Sequence, residues 1–68
     1  MTILEALALA KSGKKARPVC WDAYYGYRRC WIECRMGILV ECGEMQEIPQ
    51  RMRFEFEEEL LGEWEVIE

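Results

Sequence analysis

Five cations and four aromatic side chains fall between residues 14 and 29: Lys14, Lys15, Arg17, Arg28 and Arg29 among Trp21, Tyr24, Tyr25 and Tyr27. Arginine pairs with phosphate through two parallel N–H groups, and lysine pairs with it as a point charge. Tryptophan and tyrosine offer flat faces on which a base stacks, worth ~1–3 kcal/mol per base. The set suits a small anionic ligand with a planar group. The same residue types are also the usual hot spots of subunit interfaces, and composition alone favours that reading. Lys14 and Lys15 fit a third role, because cations favour the negative end of a helix.

Other chemistries fare worse. The chain has no histidine, so the commonest general base and the commonest zinc partner are missing. Ser12 is the sole serine, and no base accompanies it. Serine triads and Cys–His dyads are therefore excluded. Cys20, Cys30, Cys34 and Cys42 are separated by nine, three and seven residues. Structural zinc uses tight pairs on both sides of the site, and only Cys30/Cys34 comes near that spacing. Alternation puts both on the core face of a strand, where a free cysteine packs as a small hydrophobe. The Glu-rich run at 55–59 reads as a solvated face rather than an acid–base pair, which needs two carboxyls in different environments. "SGKK" at 12–15 lacks the spacing of a phosphate-binding P-loop. No enzyme activity, metal or cofactor is expected.

The elements that position these residues follow from local pattern. Thr2 and Glu5 read as a capping box in front of "ILEALALAKS", which holds strong helix formers and no proline. Ile3, Leu7 and Ala10 share a face, with Leu4 and Ala8 beside them. Gly13 stands where a helix end needs a left-handed residue. A helix over 3–12 results. Pro18 disfavours helix at Arg17, so 16–21 runs extended, and alternation along it places Arg17, Val19 and Trp21 on one side. "DAYYGY" at 22–27 reads as a turn or irregular link.

Residues 30–42 alternate throughout, which predicts a hairpin. A two-residue loop at Met36-Gly37 would set Ile32 opposite Glu41 and Glu33 opposite Val40, a mixture of apolar and charged partners. A three-residue loop, Arg35-Met36-Gly37, pairs Cys34 with Ile38, Ile32 with Val40 and Cys30 with Cys42. The three-residue loop is the expected one. Residues 43–50 read as a connection. "RMRFEF" alternates with Met52, Phe54 and Phe56 inward. "EEELLG" reads as a helical turn closed by Gly62. "EWEVIE" resumes alternation, with Trp64 and Val66 on one face. The fold class is α+β: one N-terminal helix packed on an antiparallel sheet of about four strands, in a single domain over 1–68.

A hydrophobic content of 51% is too high for a disordered chain. A core of 68 residues rarely supplies more than ~3–5 kcal/mol unaided, so oligomerisation, a metal or disulfides would be the usual supplements. Residues 1–40 carry +4 and residues 41–68 carry −8. That polarity argues against direct nucleic-acid binding, which wants an uninterrupted basic face. It suits head-to-tail or dimeric contacts, or an acidic face that meets a basic partner. No secretory pattern or membrane-length apolar run is present, which points to the cytoplasm and to reduced thiols.

Two segments resemble a known family. Residues 3–22, "ILEALALAKSGKKARPVCWD", are similar to the opening of the Thoeris anti-defence sponge family of small phage proteins. The shared pattern is a helix with Glu-Ala-Leu, then Gly-Lys-Lys, an apolar residue, Arg, and Trp-Asp or Trp-Asn four residues on. Residues 56–68, "FEEELLGEWEVIE", resemble the same family's ending. The centre is shorter than the family's. The resemblance implies a helix on an antiparallel sheet, a homo-oligomer, and capture of a cyclic nucleotide-like defence signal without catalysis. By motif, Arg17, Trp21, Asp22 and Trp64 are the implied ligand residues. Tyr24, Tyr25 and Arg28 join them from the cation–aromatic set. Related small phage proteins act instead by direct contact with a host defence protein such as a CRISPR effector. Here the acidic C-terminal half would serve that alternative, covering a basic groove.

Overall fold

The computed structural model describes residues 1–25, 30–44 and 49–67, with the side chains of Tyr24 and Tyr25 outside that description. In chain order the elements are α1 (Ile3–Lys11), β1 (Lys15–Pro18), α2 (Trp21–Tyr25), β2 (Cys30–Arg35), β3 (Ile38–Gly43), β4 (Gln50–Arg51), α3 (Glu57–Leu61) and β5 (Trp64–Ile67). The fold is α+β, with five antiparallel strands rather than four, in the order β4-β3-β2-β1-β5.

α1 forms as its sequence dictates. The Thr2 hydroxyl accepts the Glu5 N–H, and the Glu5 carboxylate accepts the Thr2 N–H at 3.1 Å, so both halves of the capping box are made. The Thr2 N–H and the Thr2 hydroxyl, which also donates to the Glu5 carboxylate at 3.1 Å, hold that carboxyl below its usual range. Gly13, at φ +106°, carries the chain out of the helix. Ala6 and Ala10 are fully buried on the sheet, with Ile3 and Leu7 packed beside them. Small side chains at these two positions bring the helix axis close to β1 and β2. Leu4 and Ala8 lie outside that contact and are exposed.

The chain returns through β1, but not as an extended run to Trp21. Extended structure stops at Pro18, and the Asp22 and Ala23 N–H groups turn back onto the Val19 and Cys20 carbonyls to start α2. The expected irregular link is therefore helical over Trp21–Tyr25. Arg17 and Trp21 do not share a strand face, and Val19, expected beside them, is exposed.

The hairpin between β2 and β3 also corrects the expectation. The loop has two residues, Met36 at φ +53° and Gly37 at φ +79°. Cys34 faces Leu39, Glu33 faces Val40, Ile32 faces Glu41 and Trp31 faces Cys42. Two left-handed residues give the primed turn whose twist matches the strands. The mixed pairs that argued against this register are accommodated. Glu33 accepts the Trp31 indole N–H at 2.7 Å and pairs with Arg35 at 3.4 Å. Glu41 stays half-buried beside the two-residue strand β4. Cys30 and Cys42 consequently lie on opposite faces of the hairpin and cannot bridge.

After β4 the chain stays out of the ladder. Met52, Phe54 and Phe56 alternate inward as expected, half-buried, while Arg53 and Glu55 stay exposed. The Phe54 ring meets Trp64 edge-on, with centroids 5.8 Å apart. Gly62 closes α3, and a Cβ there would sit 2.6 Å from the Glu58 carbonyl oxygen. β5 then pairs with β1, setting Arg17 opposite Glu65 and Pro18 opposite Trp64. No helix among the described residues is long and apolar enough to cross a membrane.

Candidate functional site

The β1–β5 ladder joins the two segments singled out in the sequence. Arg17 is 3% exposed and lies between two carboxylates, Asp22 from the first turn of α2 and Glu65 from β5. Its Nε is 3.1 Å from the Glu65 carboxylate, and its Nη2 contacts Asp22. Both are close charge contacts, but neither N–H is aligned as a hydrogen bond among the described residues. The partners' side chains are 69% and 46% exposed, so the cluster reaches the surface through its anions. One cation against two carboxylates leaves the cluster negative.

The two tryptophans of the implied ligand set are elsewhere. Trp21 and Trp64 are each 1% exposed and belong to the core. One residue joins them: Glu59, fully buried. Its carboxylate accepts the Trp21 indole N–H and the backbone N–H groups of Glu55 and Phe56, the last two at 2.7 and 2.6 Å. Its backbone carbonyl accepts the Trp64 indole N–H at 2.7 Å. Neither ring has a face open to a ligand. Of the remaining residues in that set, Arg28 and the side chains of Tyr24 and Tyr25 lie outside the described residues.

Sequence reasoning missed Glu59, placing it in a solvated run. Its signal is faint. A Glu three positions into a helix can take back the N-cap N–H, as Glu59 does from Phe56, but Phe56 supplies no capping side chain. Trp31 was missed with less excuse. It stands two residues before Glu33, and period two puts both on one face. Trp31 is half-buried, its N–H is held by Glu33, and the Lys15 ammonium lies 4.7 Å from its ring centroid.

Two further groups are set by their surroundings. Glu41 is pushed up from the usual carboxylate range by burial and by the Glu59 charge, with Arg53 acting against them. A carboxyl raised in the folded state favours the protonated fold, so its ionisation opposes folding at neutral pH and that cost vanishes below the unfolded value. Glu41→Gln is expected to raise Tm at pH 7 by a few degrees, under about 1 kcal/mol. The gain should disappear near pH 4, where wild type and variant melt together. An equal gain at both pH values would contradict this origin.

Burial, then hydrogen bonding to Glu33, pushes the Cys42 thiol up to about 11. Its thiolate fraction at pH 7 is then roughly one in ten thousand. Burial and the charges of Glu59 and Glu58 also raise Cys20. Iodoacetamide at pH 7 is expected to label half-buried Cys34 well before Cys42, as read by peptide mass mapping. Early labelling of Cys42 would contradict the buried placement. Among the described residues no group of three ligating side chains is disposed to hold a metal.

No family model, no curated protein and no solved structure matches the chain.

Proposed function

We propose that this chain is a non-catalytic immune-evasion protein of phage type, which binds a cyclic nucleotide-like defence signal and withholds it from its receptor. The observation that carries the reading is the β1–β5 ladder. It brings the opening and closing segments that resemble the sponge family into one unit, with Arg17 between Asp22 and Glu65. The accessible carboxylates can exchange their hold on the guanidinium for a ligand phosphate, since charge-assisted pairs of this kind are equivalent in geometry. Trp21, buried at this junction, fixes where α2 begins and hence where Asp22 stands. The working form is a dimer or tetramer in the cytoplasm of the infected cell, as expected of a chain with so small a core.

The test is thermal unfolding of the purified protein with cyclic ADP-ribose-type and cyclic oligonucleotide signals, with native mass measured in parallel. Ligand at a hundredfold excess over Kd should raise Tm by roughly 10 °C or more for a chain of this size. No shift with any nucleotide signal would sink the proposal.

A second reading has its own observation. Glu55, Glu57, Glu58, Glu63 and Glu65 are all exposed in the C-terminal third. An acidic surface of this kind would cover a basic groove on a host effector and give a salt-sensitive complex. Co-purification that survives Arg17→Met but fails when Glu57 and Glu58 are changed to Gln would favour this second reading over sequestration.

A further inference from the structure

Among the described strand residues, the sheet face turned away from α1 carries Lys15, Arg17, Arg35 and Arg51 against Glu33 and Glu65, around the Trp31 ring, in a chain of net charge −4. Ala16 and Ile32 are cross-strand partners in the core. One step along each strand the side chains point the other way, so Lys15, Arg17, Trp31 and Glu33 share the opposite face. Arg35 continues that face on β2, and Arg51, opposite Val40, extends it to β4. Trp31 differs from Trp21 and Trp64 in being half-buried rather than enclosed. Its orientation is set by Glu33, which holds the indole N–H at 2.7 Å. Fixed, partly open and flanked by cations, this ring has what a stacking platform requires.

We propose that Trp31 receives the planar base of a nucleotide ligand, with Lys15 and Arg35 taking its phosphates. The inference rests on the nucleotide-binding reading above. It moves the stacking role from buried Trp21 to Trp31, on the same sheet face as Arg17. Lys15 now covers the ring at 4.7 Å from its centroid. An exposed cation–π contact is weaker than base stacking, so a base can replace the ammonium. The lysine stem is flexible, and its freed charge then reaches the phosphate beside the base. Arg35 is over half exposed and is free to turn from Glu33 to the ligand in the same way.

The experiment uses the full chain and two probes, ADP-ribose and cyclic diadenylate. Binding is read by tryptophan fluorescence and by acrylamide shielding. Trp31 is the accessible emitter among the three tryptophans, so a stacked base should quench its emission and shield it from acrylamide. Trp31→Leu should abolish binding, and Lys15→Gln should weaken it about tenfold and flatten its salt dependence. Lys11→Gln, at an exposed position on α1, across the sheet from this face, should leave affinity unchanged. Binding that survives Trp31→Leu but is lost in Arg17→Met would overturn this inference and leave the sequestration reading standing. Binding without acrylamide shielding in the wild-type protein would overturn it without recourse to any variant. If neither probe binds while another cyclic signal raises Tm, the inference again falls alone.

Discussion

Glu59→Ala is expected to unfold the protein at room temperature. The carboxylate is fully buried and accepts three hydrogen bonds, from the Trp21 indole and the Glu55 and Phe56 amides. Hydrogen bonds to a charged group are worth ~1.5–3 kcal/mol each, and stranding a buried donor costs ~1–3 kcal/mol. Truncation strands three donors at once and leaves a cavity, so about 3–5 kcal/mol is a cautious total. That equals the whole of what a core this small supplies, ~3–5 kcal/mol. Glu59→Gln keeps the volume but presents an amide N–H₂ to a site built from donors. Whichever way the amide is turned, one side faces N–H against N–H. It should fold with a clearly lowered Tm, between wild type and Ala. Circular dichroism with urea titration reads both. A Glu59→Ala protein that melts within a few degrees of wild type would show that the three contacts carry little.

The contrast between α1 and the hairpin explains what the sequence revealed. α1 is written locally: Thr2, Glu5 and Gly13 act within a few residues of themselves, and their spacing is visible before any tertiary contact exists. α3 and its Gly62 stop are legible for the same reason. The hairpin register was not, because both loops are sterically possible and the choice turns on distant partners. Glu33 facing Val40 looks wrong until Trp31 and Arg35 are seen to hold it. Glu41 facing Ile32 looks wrong until its place beside the short edge strand β4 is known. Glu59 is the extreme case. Its side-chain partner Trp21 lies 38 residues away, so a run of glutamates gives little sign of which one is inside. At the candidate site, the residue types were legible and their directions were not. Pro18 kept Arg17 extended, but the strand ends there instead of running on to Trp21, and the turn after it sent Trp21 into the core and left Arg17 on the other face.

That divergence makes Trp21→Ala and Arg17→Met behave in opposite ways. Trp21 is 1% exposed within the core cluster and supplies the indole N–H that Glu59 requires. Its truncation combines an emptied aromatic site, ~3–5 kcal/mol, with an orphaned carboxylate oxygen, and the chain should not fold. Loss of ligand binding in that variant would therefore say nothing about contact with the ligand. Arg17 is as deeply buried, but its two partners, Asp22 and Glu65, are 69% and 46% exposed. When the cation goes, Asp22 and Glu65 turn to water rather than remaining stranded. Methionine fills the space of the aliphatic stem, and replacing a buried ion cluster with a hydrophobe of similar volume is often neutral or stabilising. Arg17→Met should keep Tm within about 5 °C of wild type, less than about 1 kcal/mol. It should nevertheless lose the whole ligand-induced shift, because methionine offers phosphate neither charge nor donor. Paired melts with and without the cyclic signal decide the matter. A shift that survives Arg17→Met removes Arg17 from the site, and a folded Trp21→Ala protein with a diminished shift would return Trp21 to it.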